Sequence, residues 1–219
     1  MSMSAIETRK KEIPLLKVMV PLLPSIKNQA DFEGLSLYPN VDFQFIQLGD
    51  YIPIADLIIL PDSKNARADL QYLKDFQWER ALTRHLRAGG KLLGIGGGFQ
   101  MLGNAIYDPD GIEGLAGSDD AFGWLLMETR LAAPKQQKQV SGQLSFVEAG
   151  FTGYESDTGD SVGDAFTRPA LWIEDKGTAR PEGAVSMDNQ VVGTFVSGLL
   201  DHAEACGALL KWAGYVSLA

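Results

Sequence analysis

The chain has 219 residues, a common single-domain length for an α/β fold, and its 45% apolar and 21% charged residues exclude a fibrous or wholly disordered protein. Nineteen Lys plus Arg against 28 Asp plus Glu give a net charge of -9, which repels phosphate backbones and anionic lipid. No basic stripe stands out, so neither nucleic acid nor membrane is expected as a partner.

Residues 1–14 are polar and without hydrophobic period, and read as a disordered leader or linker ahead of one domain, 15–219. Leu15 to Val20 and Val41 to Ile46 predict strands, with a short helix at Asp31 to Leu37 behind a proline-punctuated loop. Ala55 to Leu60 is a continuous aliphatic run, as in a central strand buried on both faces. The longest apolar run, Leu57 to Pro61, falls far short of the ~20 residues that span a bilayer, and with no secretory signal a cytoplasmic location is expected. Asn65 is a candidate N-cap for a helix starting at Ala66, and Trp78 to Arg87 is a second amphipathic helix closed by Gly89-Gly90. Lys91 to Ile95 predicts a strand that runs through Gly96-Gly97-Gly98 into a helix over Phe99 to Asn104. Asp108 to Gly123, rich in Gly, Asp and Pro, reads as a surface loop. Strands are expected within Trp124 to Ser145, at Leu171 to Ile173 and at Gln190 to Val196, and a final helix over Asp201 to Trp212 stops at Gly214. Strands alternating with helices in the first half predict a mostly parallel, doubly wound sheet, with an antiparallel portion added by the second half.

A strand that turns through glycines into a helix has the geometry of a nucleophile elbow, which lifts its apex residue above the carboxyl edge of the sheet. The run from Gly94 to Gly103, GIGGGFQMLG, closely resembles the elbow G-I-C-G-G-F-Q-M-L-G of cobyric acid synthase, in its class I glutamine amidotransferase domain. Asp56 to Asn65 (DLIILPDSKN) resembles that family's D-L-I-I-L-P-G-S-K-N. Val140-Ser141-Gly142, Gly153-Tyr154-Glu155 and Gly193 to Asp201 (GTFVSGLLD) resemble V-S-G, G-Y-E-I-H and G-T-Y-x-H-G-L-F-D, in the same order and spacing. The resemblance implies a flavodoxin-like glutaminase fold that releases ammonia from glutamine for amidation of corrin carboxylates. Such chemistry needs a thiolate, a histidine base and N–H donors around the oxyanion.

This chain departs from the pattern where the chemistry resides. Gly96 stands at the cysteine position, Ser197 at the histidine position, Asp62 at the glycine of the oxyanion loop, and Ser156 and Asp157 at the I and H of G-Y-E-I-H. No catalytic pair is intact. The candidate pocket residues are Asp62, Ser63, Gly97, Gln100, Asp119, Asp120, Phe122, Tyr154, Glu155 and Asp157. Asp62, Asp119, Asp120 and Asp157 could form an acidic pocket for a cation or amine, the plainer reading being solvated loop carboxylates. Phe122 and Trp124 could be a ligand platform or plain packing. Loss of a thiol and an imidazole implies a roomier pocket with a more negative rim. Cys206 reads as a small core residue, His202 as lying in the first turn of the last helix, and His85 as solvated on a helix. One Cys and two His exclude a multi-thiolate or multi-histidine metal site, and no cofactor is expected. The chain has no G-x-x-x-x-G-K-[ST] loop, so an ATP-dependent amidation step requires a synthetase domain outside it. The expected protein is a cobyric-acid-synthase-type domain inactive toward glutamine, altered naturally or by design. The alternatives are a binding or scaffolding module with an unidentified small-molecule ligand, and a repurposed enzyme with Asp62 or Asp157 as general base.

Overall fold

A computed structural model describes residues 14–133, 137–156 and 159–216, so most of the expected leader and Asp157 lie outside the described residues. In chain order the first elements are β1 (Leu16–Leu22), a 3₁₀ helix (Ala30–Leu37), β2 (Val41–Gln47), β3 (Leu57–Leu60), α1 (Ala66–Asp75), α2 (Trp78–Arg87), β4 (Lys91–Ile95) and α3 (Gly97–Met101). Then come β5 (Ala105–Asp108), β6 (Gly117–Asp120), β7 (Glu128–Leu131), β8 (Lys138–Leu144), β9 (Gly150–Glu155) and β10 (Gly159–Val162). A 3₁₀ turn (Asp164–Thr167) leads to β11 (Leu171–Asp175), β12 (Thr178–Glu182), β13 (Ala184–Val185), β14 (Val191–Thr194), β15 (Val196–Ser197) and α4 (Ala203–Trp212).

The main sheet has the order β13-β14-β4-β3-β1-β2 and is parallel except for the β13–β14 pair. Because side chains alternate across a strand, the aliphatic run of β3 feeds two cores. Leu57 and Ile59 pack with α4 and the inner residues of β8, β9 and β11, whereas Ile58 and Leu60 pack with α1, α2 and α3. This is the doubly wound α/β architecture, extended by an antiparallel sheet of order β12-β11-β8-β9-β15 and a four-stranded mixed sheet of order β10-β7-β5-β6. Each fully buried aliphatic side chain contributes ~1.5–3 kcal/mol, so the short strand β3 is a strong anchor.

Local sequence explains the helices that frame the site. The Asn65 side chain accepts the Ala68 N–H at 3.0 Å and starts α1. In α2 the buried positions Trp78, Ala81, Leu82 and His85 follow helical spacing, and Gly89, at φ +89°, ends the element. His85 is therefore not solvated: it is 8% exposed, its Nε2 lies 2.8 Å from the Lys91 carbonyl, and burial pushes its pKa down. The expected Asp108 to Gly123 loop contains a strand, β6, whose polar sequence GSDD conceals it. Arg67 supplies what composition does not, bonding Asp119, Asp108 and the Leu115 carbonyl. The outer face of α2 also gathers Arg80, Arg84 and Arg87, a basic stripe that composition had obscured. Among the described residues no helix is long and apolar enough to cross a membrane.

The elbow helix starts at Gly97 because the backbone of β3 lies against it. A Cβ on Gly98 would sit 2.2 Å from the Leu60 carbonyl oxygen. Gly98→Ala must force β4–α3 away from β3, and a loss of ~1–3 kcal/mol or more is expected, read as a lower urea midpoint at unchanged m.

Candidate functional site

Four loops meet at the carboxyl ends of the parallel strands, where ligand sites of open α/β sheets form. Lys27 follows β1, Asp62 follows β3, Gly96 follows β4, and Ser197 lies just past β14. They border a cleft of about 410 Å³ lined by Lys27, Asp31, Asp62, Tyr154, Ser197 and Asp201.

Gly96 has φ +54° and ψ −117°, a conformation that favours glycine over residues with side chains. A Cβ built there would lie 2.1 Å from Asp62 Oδ1 and 2.3 Å from its Cγ. The Asp62 carboxylate thus fills the space above the turn apex, and the roomier pocket expected from the sequence does not exist at that point. Asp62 Oδ1 accepts the Gly97 N–H at 2.9 Å, and Oδ2 pairs with Lys27 Nζ at 3.0 Å. The Lys27 ammonium also donates to Ser156 Oγ at 3.1 Å, tying three loops together. With its side chain only 10% exposed, Asp62 is a buried anion with both oxygens satisfied. The rim carries this pair instead of a free carboxylate. Its open charges are Asp31 and Asp201, each raised in pKa by burial first, Asp31 also by Asp201 and Asp62, and Asp201 by Glu33.

Ser197 reaches the cleft, but its hydroxyl donates to the Tyr154 carbonyl at 3.1 Å across the β15–β9 pair. Its placement depends on Glu182, a buried residue at the end of β12. Glu182 Oε1 accepts the Phe195 N–H at 2.7 Å and Oε2 the Thr194 hydroxyl at 2.5 Å, while Thr194 Oγ1 accepts the Val196 N–H at 3.0 Å. Desolvation pushes this carboxyl up to about 7, Glu155 raising it further and Arg180 opposing.

The other expected pocket residues divide. Tyr154 and Asp62 line the cleft, and Gly97 adjoins it, its missing Cβ standing 3.0 Å from that of Ser63. Ser63 turns away: its hydroxyl donates to Asp69 at 2.6 Å. Asp69, fully buried, also accepts the Ser25 N–H, and burial pushes its carboxyl up against these bonds. Gln100 is buried within α3. The acidic pocket does not assemble, because Asp119 pairs with Arg67 and Asp120 faces the same four-stranded sheet. Glu155 pairs with Arg180 at 2.5 Å. Phe122 stacks on Trp124 at 4.8 Å within the α1–α3 core, and Trp124 borders a different hollow with Leu126 and Arg168. Cys206 is buried in α4 beside the Tyr38 hydroxyl, burial pushing its thiol up to about 11, and His202 caps α4. Lys27 and Glu182 escaped the sequence reading. Position after a central strand was a usable signal for Lys27, whereas a glutamate in the polar run TARPE carries none.

Residues 17–205 match the family model of the CobB/CobQ-like glutamine amidotransferase domain. The fold is similar to that of PurLQS from Thermotoga maritima, with 16% identity, a TM-score of 0.63, and coverage of 92% of this chain and 99% of that one. A crystal structure of a glutamine amidotransferase gives 13% identity, a TM-score of 0.59 and coverage of 90% and 99%. A protein from Thermoplasma acidophilum, proposed to be one of the subunits of GMP synthase, gives 13%, 0.56, and 91% and 93%. At these identities the structures establish the fold.

Glu182 provides a pH test of the segment that carries Ser197. Its folded pKa, about 7, lies above the ordinary 4.5, so the folded state holds this proton longer. Its contribution is intact below pH 4.5, declines as pH rises to 7, and is constant above, a loss on the order of 3 kcal/mol. Urea unfolding at both ends of that window should show the decline in the parent protein and its absence in Glu182→Gln.

Proposed function

The chain belongs to the CobB/CobQ-like glutamine amidotransferase domain family, and from that premise we propose that it is a cobyric-acid-synthase-type member that no longer hydrolyses glutamine. In this reading it serves as a binding or docking module beside a synthetase partner in corrin amidation. The carrying observation is that one carboxylate, Asp62, takes both the space above Gly96 and the Gly97 N–H.

Hydrolysis of a side-chain amide requires a nucleophile, a proton acceptor and donors for the developing oxyanion. Gly96 supplies no nucleophile. The Ser197 proton is committed to the Tyr154 carbonyl, and no imidazole lines the cleft. The N–H of the residue after the apex, the usual oxyanion donor of an elbow, is held by Asp62. A tetrahedral oxyanion there would meet a carboxylate instead of a donor, and losing one such donor alone costs ~2.7–4 kcal/mol of transition-state stabilisation. The Lys27 pair also removes Asp62 as a free general base. The fold neighbour from Thermoplasma acidophilum is, by its description, part of a multi-subunit synthase, which supports the partnered role.

A coupled assay of ammonia release should find no turnover of glutamine above background. The double variant Gly96→Cys, Ser197→His should remain silent, because the new Cβ collides with Asp62 and the oxyanion donor stays occupied. Adding Asp62→Gly should give measurable hydrolysis. Turnover by the parent protein, or equal rates in the double and triple variants, overturns the reading.

A further inference from the structure

The chain is acidic, yet its arginines concentrate on one helix. Three of its eight arginines, Arg80, Arg84 and Arg87, lie on the outer face of α2, and with Lys74 of α1 they line an open groove of about 630 Å³. Glu79 is the only carboxylate bordering it. Elsewhere the described arginines are partnered: Arg67 with Asp119, Arg130 with Asp110, Arg168 with the Ser186 carbonyl and Arg180 with Glu155. Among the described residues, the three guanidinium groups of α2 make no hydrogen bond or ion pair. The helix dipole favours cations in the last turn, which accounts for Arg84 and Arg87 but not for Arg80, near the start of the helix, or Lys74.

We propose that this face docks an acidic protein surface, carboxylates of a partner engaging Arg80, Arg84 and Arg87. The inference is independent of what happens in the cleft at Gly96. Arginine forks match carboxylates bidentately, and spacing of three and four residues presents them along roughly 10 Å of helix. That length matches two turns of an acidic helix or a short acidic loop. It does not match a nucleic acid, which carries one charge per ~1.7 Å and would press its remaining phosphates against a chain of net charge -9. The groove is open and its arginines are exposed, so it suits a protein surface better than a small anion, which needs an enclosing pocket.

The test follows binding of a labelled Glu-rich helical peptide to the full chain by fluorescence anisotropy, with single-stranded DNA of equal charge as comparator. The parent protein should bind the peptide at low salt, weaken as salt rises, and prefer it to DNA. Arg80→Glu, Arg84→Glu, Arg87→Glu should weaken the peptide by ~10-fold or more. Lys17→Glu, Lys176→Glu, Lys211→Glu, with the same change in net charge on other elements, should stay within about threefold. Thermal melts establish that both variants fold, and an Arg→Gln triple variant should show an intermediate loss. Absence of peptide binding, equal losses in the two charge-reversed variants, or tighter binding of DNA overturns the proposal.

Discussion

The geometry at the carboxyl edge of the sheet depends on a single exclusion of volume. The Asp62 carboxylate and a side chain at position 96 cannot occupy the same space, since the two would meet at 2.1 Å. With glycine at the apex, Asp62 turns inward and takes the Gly97 N–H, and Lys27 follows to neutralise it. A buried carboxylate without these two partners would carry a desolvation cost of several kcal/mol. The three residues lie on loops after three adjacent strands, β4, β3 and β1, so the sheet register brings them together without any direct sequence link.

That register was legible in the sequence because its causes are local. The runs LIIL and KLLGI are too apolar for any exposed element, and each ends in Gly or Pro at the edge where the chain must turn. The α2 boundaries follow from Trp78, Ala81, Leu82 and His85 and from Gly89 beyond them. Elements held by distant polar contacts were not legible. β6 has no hydrophobic alternation, and its position is secured by Arg67, more than 40 residues earlier in the chain. The site was half legible for the same reason. Gly96, Ser197 and Asp62 stand at motif positions, but the direction in which Asp62 points depends on Lys27 and on an N–H, neither of which spacing encodes. Asp119 and Asp120 read as pocket residues only because their neighbours in space were invisible.

The positioning hardware behind the cleft remains in place although the residues facing it have changed. Glu182, Thr194 and Val196 still form a buried relay that holds the turn before Ser197, and Ser63 with Asp69 still clamps the loop after β3 to Ser25. A buried carboxyl pushed up to about 7 is not the cheapest way to hold a turn, so its presence fits a scaffold inherited from a site that needed precise placement. Stability resides mostly in the two cores flanking the sheet, which share no side chain with the Lys27–Asp62 pair.

This separation makes the present arrangement hard to leave by single steps. A cysteine at position 96 alone meets an oxygen already there, at an apex whose positive φ adds strain. Removing the Asp62 carboxylate alone frees the Gly97 N–H but strips Lys27 of its anion and leaves Gly96 with no nucleophile. Each isolated change costs interaction energy and gains no chemistry, because only their combination presents a thiol to an open donor. The internal ion pair is therefore more than a vacancy filled: it stabilises a fold that can be kept for its surfaces, among which the arginine face of α2 lies outside both cores and free of the cleft.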